Sequence, residues 1–226
     1  MDAVERLIWD LRSKDQWGAG RVEATEYGVT NIERLTCLDA HAAVIRSCNV
    51  LFVPGLLQHT AYALATTRAA FPRLPESELR RWILMRSART QAFLDQLRTD
   101  RLTGIFVIGQ LALIHGVSED AHAKQLEYLL EVIDGHPQMQ VLVLPFHTVP
   151  PAFTTQLFLW AFRDETSRDM GNRATPACAY TETAAGGNYT TRIDDLARMR
   201  SAWADLVNAS MGPAESRSYI AEILGA

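Results

Sequence analysis

The sequence has almost no lysine. Lys14 and Lys124 stand against twenty arginines, and the 22 basic side chains fall short of the 26 acidic ones, for a net charge of -4. A duplex-binding protein carries a basic excess that releases counterions from phosphates, so direct nucleic-acid binding is not expected. Cysteine is scarce as well. Cys37, Cys48 and Cys178 are odd in number and far apart, so they frame no disulfide scaffold and match no zinc spacing, and reduced, mostly buried thiols are expected. Long apolar runs are missing too. Nothing approaches the ~18 residues of a membrane span, and Leu7-Ile8-Trp9 is broken at once by Asp10 and Arg12, which leaves no apolar core of the ~7–15 residues a signal peptide needs. A cytoplasmic protein without membrane contact is expected.

The usual cofactor and hydrolase signatures are also absent. Gly104, Gly109 and Gly116 fit neither Walker nor dinucleotide spacing, and no serine sits in a glycine-flanked elbow. His115 with His122, or Asp39 with His41, makes only a weak metal pair. The sequence is read as needing no cofactor and no metal. What is present is ordinary globular composition: 226 residues, 48% hydrophobic and 21% charged. A chain of this length buries about 70% of its unfolded surface without staples.

Along the chain, residues 1–38 read as a short helix near 2–13 followed by irregular structure or a strand. Residues 38–49 suit a helix, which Val53-Pro54-Gly55 stops, because proline lacks an amide donor and holds the preceding residue extended. Helices are expected over about 58–70 and from Pro75 to Arg98, the latter with Leu79, Trp82, Ile83, Phe93 and Leu97 on its apolar face. Residues 104–109 form a continuous apolar run that suits a buried strand. Ser118 caps the clearest helix, in which Leu126, Leu129, Leu130 and Ile133 repeat at i, i+3, i+4 and i+7 before Gly135 and Pro137 end it. Strands follow at 140–145, at 157–162 as its neighbour, and at 177–181, with Gly186-Gly187 as an isolated turn. Two helices close the chain. The fold class is therefore α+β, with a small mixed sheet covered by helices, a helical N-terminal part and at most three layers.

The string Val53-Pro54-Gly55-Leu56-Leu57-Gln58-His59-Thr60-Ala61-Tyr62-Ala63 resembles the "PGLLQT-x-x-YA" signature of the domain of unknown function that follows the helix-turn-helix in many actinobacterial XRE-type, antitoxin-like regulators. Arg86 and Arg89 resemble its paired arginines, Gln125-Leu126 with Leu129-Leu130 its "QL-x-x-LL" helix, Val141 to Pro145 its "V-x-VLP" strand, Tyr180 with Glu182 its "Y-x-E", and Glu215-Ser216 its final "ES". The similarity spans about residues 39–226, which makes 1–38 an N-terminal extension too short and too acidic for a helix-turn-helix. His59 stands where the family has threonine, Gln110 where it has glutamate, and Thr90 where it has glutamine. The resemblance implies a ligand-sensing or partner-binding regulatory domain, here freestanding.

Each candidate site residue admits a functional and a plain reading. His59, at a helix start, is either a neutral base in a pocket or a cap. Tyr62 is a proton donor or a buried core tyrosine. Glu182, at a strand end, points into a crevice or pairs with Arg86 or Arg89. Those two arginines, three apart, either clamp an anion or line a solvated helix face. Gln110 donates to a ligand carbonyl or satisfies backbone. Gln58, His147 and Trp160 complete the set, Trp160 with Phe158 and Phe162 being either ligand wall or core.

Two functions follow. In the preferred one, a cofactor-independent acid/base enzyme of cyclase or dehydratase type acts on a bulky apolar natural-product intermediate, with His59 or Glu182 as base, Tyr62 as acid and Gln110 as oxyanion donor. In the alternative, the domain senses a ligand or binds a protein partner. A homodimer is compatible with either.

Overall fold

The computed structural model describes residues 29–114, 117–151, 154–162, 177–183 and 186–225. The helix expected near 2–13 lies outside them. Helix α1 (Val29–His41) comes first, with Ile32, Leu35 and Leu38 buried one turn apart. A domain boundary at residue 38 thus falls inside a helix that belongs to the core. Residues 14–38 were expected to be irregular or a strand, and the described end of that stretch is helical.

Strand β1 (Ala42–Asn49) replaces the helix expected over 38–49. The alanines and arginine of this segment favour helix locally, but the strand is bonded on both sides, parallel to one neighbour and antiparallel to another. Val44 and Ile45 suit that site, and tertiary pairing outweighs the weak local preference. After a single 3-10 turn at Gly55–Leu57 come α2 (Thr60–Ala70), α3 (Glu76–Arg98), β2 (Thr103–Gly109), α4 (Gln110–Ile114), α5 (Glu119–Gly135), β3 (Met139–Leu144), β4 (Gln156–Phe162), β5 (Ala177–Thr183), β6 (Gly186–Thr190), α6 (Ile193–Ala209) and α7 (Pro213–Gly225). The expected helices from 58 onward and the strands at 104–109, 140–145, 157–162 and 177–181 are all found.

Among the described residues the sheet has six strands in the order β3-β2-β1-β4-β5-β6. Strands β1, β2 and β3 are mutually parallel, while β4, β5 and β6 add antiparallel pairs. Two expectations are corrected here. Strand β4 neighbours β1 and β5 rather than β3, and Gly186-Gly187 opens a strand rather than a lone turn. A Cβ at Gly187 would stand 2.2 Å from the Tyr180 ring, so glycine is the residue that lets this ring cross its partner strand.

One sheet face presents Ile45, Phe106, Val141, Phe158, Trp160 and Tyr180 to residues of α1, α3, α5 and α7. The other presents Cys48, Val107, Leu142, Leu157 and Leu159 to Leu196, Trp203 and Leu206 of α6. The result is a three-layer α+β domain, and each fully buried Leu, Ile or Phe contributes about 1.5–3 kcal/mol. Burial pushes the Cys48 thiol up to about 12, which keeps it protonated and unreactive. At the outer edge of β3, the Val143 amide donates to Ser216 Oγ and the Met211 amide donates to the Val143 carbonyl. That covers an otherwise open strand edge.

At the opposite side of β2, a Cβ on Gly109 would lie 2.4 Å from the Val50 carbonyl oxygen. Backbone cannot yield as a side-chain tip can. Gly109→Ala is expected to destabilise the domain by about 1–3 kcal/mol, read as a lower urea midpoint at unchanged slope. Among the described residues no helix is long and apolar enough to cross a membrane.

Candidate functional site

The segment after β1 is built by short-range bonds. Asn49 Oδ1 accepts the Leu51 and Phe52 amides, which turns the chain. Pro54 holds it extended, and the Leu57 amide then donates to the Pro54 carbonyl at 2.8 Å to close the 3-10 turn. Leu56 and Leu57 anchor this turn in the core. Gln58 Nε2 reaches back to the Val53 carbonyl at 2.7 Å, and the Tyr62 hydroxyl accepts the Val53 amide at 3.5 Å. The spacing of Val53, Gln58 and Tyr62 is therefore that of a folded loop followed by a helical turn.

His59 caps α2: its backbone is extended and its Nδ1 accepts the Ala61 amide at 3.2 Å. Gln125 of α5 fixes this corner from below. Its Oε1 accepts the His59 amide and its Nε2 donates to the Leu57 carbonyl, both at 2.8 Å. The two residues flanking Gln58 are thereby held by one fully buried side chain.

Helices α3 and α5 wall this corner and leave a pocket of about 170 Å³, lined by Gly55, Gln58, His59, Thr60, Ala63, Arg86, Ser87, Thr90, Gln91 and Tyr128. The rings of His59 and Tyr128 meet edge to face with centroids 5.7 Å apart. Arg86 is half-buried, and Nη1 donates to Thr67 Oγ1 at 2.9 Å. Among the described residues no carboxylate forms an ion pair with it. Burial and the neighbouring Arg89 charge push the Arg86 pKa down, opposed by Glu182 and Tyr180.

Arg89 lies behind the pocket wall, its Nη1 3.8 Å from where a Cβ on Gly55 would stand. It is buried, and Nε donates to Asp39 Oδ2 at 2.6 Å. Asp39 Oδ1 accepts the Trp160 indole N–H at 2.7 Å, and the guanidinium carbon stands 5.7 Å over the Phe158 ring. Two buried atoms at this corner, Gln58 Oε1 and Arg89 Nη2, have no hydrogen-bond partner among the described residues. Each such atom carries a desolvation penalty of about 1–3 kcal/mol.

Of the residues singled out from sequence, Gln58, His59 and Arg86 meet in this pocket. The others lie elsewhere. Tyr62 is buried beneath it, its pKa raised by burial. Arg89 and Trp160 converge on Asp39 in the core, and Phe158 stacks on Trp160 at 5.3 Å. Glu182 is exposed at the end of β5 and accepts from Gln156 Nε2 at 3.1 Å, with no ion pair to either arginine among the described residues. Gln110 serves the framework: Oε1 accepts the Phe146 amide and Nε2 donates to the Tyr219 hydroxyl. His147 is exposed in the loop after β3.

Sequence reasoning passed over Tyr128, Ser87 and Thr60 as site residues. Tyr128 stands three residues after Gln125 on one side of α5, a spacing that points both at the same neighbour. Among the described residues no group of three or more His, Cys, Asp or Glu side chains could hold a metal ion. A sequence profile described as a domain of unknown function, DUF5753, matches residues 32–222, from α1 into α7. No curated protein and no solved structure matches the chain.

Proposed function

The chain belongs to the DUF5753 family, a domain of unknown function, and from that premise we propose that it is a receptor domain whose pocket binds a small polar ligand. Its output is a change in partner binding within the cytoplasm rather than a chemical step. The observation that carries this reading is Arg86, a half-buried guanidinium that opens onto a cavity and has no ion-paired carboxylate among the described residues, Glu182 acting on it only at longer range. A cation held against desolvation and against a like charge weakens the fold, and such groups concentrate where a ligand supplies the missing partner.

The pocket's size and lining support binding of something small. Its roughly 170 Å³ is below the ~300–1,000 Å³ of sites that enclose drug-sized molecules, and its walls mix hydroxyl, amide and guanidinium groups with a slightly larger apolar share. The catalytic alternative needs Tyr62 as acid at the same cavity as its base, His59 or Glu182, and of these three only His59 is among the lining residues. The imidazole Nδ1 is also already engaged as the helix cap.

Arg86→Met tests the reading. Removing a half-buried charge beside Arg89 that has no ion pair among the described residues is expected to leave the melting temperature unchanged or to raise it, while ligand-induced stabilisation in a screen of small metabolites disappears. Loss of stability together with unaltered ligand response would contradict the proposal.

A further inference from the structure

The donors and charges around the pocket restrict what it takes, and on the receptor reading above we infer that its ligand is a small monocarboxylate with a short planar or branched apolar body. Arg86 is the cation that lines the pocket, whereas Arg89 behind it is neutralised by Asp39 at 2.6 Å and Glu182 acts on Arg86 from the end of β5. At most one net positive charge therefore stands at the cavity, which matches a single negative charge; a phosphate dianion would leave the site over-charged.

Geometry admits a carboxylate, and the small cavity favours it over a bulkier phosphodiester monoanion. A guanidinium is a planar fork that meets two coplanar oxygens, and one Arg86 nitrogen, Nη1, is steadied by Thr67 at 2.9 Å. The amino end of α2 adds donors on the same side. Thr60 begins that helix and lines the pocket, and first-turn amides have no acceptor inside a helix, although that of Ala61 is already taken by His59 Nδ1. On the same walls the Thr60 and Ser87 hydroxyls bond each other at 3.3 Å, which leaves one of the two hydrogens for a ligand, and Thr90 donates to the Gly55 carbonyl.

The second, independent observation is the pair of orphaned atoms. Arg89 is 7% exposed and its Nη2 has no partner among the described residues, while its other terminal nitrogen, Nη1, is the one that stands behind Gly55 of the pocket wall. Gln58, itself a lining residue, holds an unpartnered Oε1. A carboxylate beside Gly55 sets its negative charge on the side of the wall where the Arg89 guanidinium lies, and an adjacent O–H or N–H on the ligand brings a donor next to the Gln58 amide. The apolar body then rests on the His59 and Tyr128 rings, which stand edge to face.

Calorimetric titration of the intact protein with benzoate, phenylacetate and isobutyrate, each beside its neutral amide and the matching amine, tests this. The carboxylates are expected to bind at least about tenfold more tightly than their amides, with Arg86→Met erasing the difference and Arg86→Lys, which keeps the charge but not the fork, restoring part of it. Equal or tighter binding of the amide or amine would overturn the inference, as would carboxylate binding untouched by Arg86→Met. If amides or amines bind and Tyr128→Ala abolishes that binding, the receptor reading stands and the carboxylate assignment alone fails. If no compound of any charge binds, both fail.

Discussion

Replacing Asp39 with alanine is expected to destabilise the domain by about 3–5 kcal/mol, the cost of leaving a buried charge without its partner. Asp39 and Arg89 side chains are 4% and 8% exposed, and their 2.6 Å contact joins α1 to α3. The same carboxylate accepts the Trp160 indole from β4, so the substitution orphans a second buried donor. Arg89→Met in the Asp39→Leu background is expected to recover much of the loss, because an apolar pair of similar volume needs no desolvation of charge. Urea unfolding of the two single variants and the double gives the coupling energy directly. Additive losses would mean that the ion pair does not organise this part of the core.

Gln125→Leu is expected to be the second most damaging change. It removes the acceptor of the His59 amide and the donor to the Leu57 carbonyl, at about 1–3 kcal/mol for each group left unpaired. The effect reaches the pocket as well as stability. With Gln58 no longer held between two fixed neighbours, the corner that presents Gln58 and His59 loses its geometry, and ligand affinity is expected to fall in parallel with the urea midpoint. Gln125→Glu separates the two bonds: its carboxylate still accepts from His59 but has no hydrogen for Leu57. Smaller losses than for Gln125→Leu would assign most of the effect to the His59 amide.

Most helices were legible because their periodicity and caps agree, as in the helix that Ser118 opens by accepting the Ala121 amide. Strand β1 was not, because its alanines and arginine favour helix while its actual preference is imposed by two neighbouring strands remote in sequence. Strand β6 was hidden for a different reason: Gly187 is small to admit the Tyr180 ring rather than to turn the chain. The order of strands also depends on pairings between segments more than 100 residues apart, such as β1 with β4, which no local pattern encodes.

The site was half legible. Gln58, His59 and Arg86 were reached through the signature string and the arginine pair, and they meet. Tyr128 and Ser87 join them only because α3 and α5 pack over one loop. Trp160 was ambiguous between ligand wall and core until its indole proved to bond Asp39 inside the domain. Gln110, read as a ligand donor or a backbone partner, bonds the Phe146 amide.

The central claim is that the corner between the 3-10 turn, α2, α3 and α5 receives a ligand. Amide chemical-shift mapping of isotopically labelled protein during titration with benzoate tests it most directly. Perturbations centred on Thr60, Ser87, Thr90 and Tyr128, absent in Arg86→Met, are the predicted result. Perturbations centred instead on Gln110 and His147 at the strand ends would contradict it, as would a map that Arg86→Met leaves unchanged.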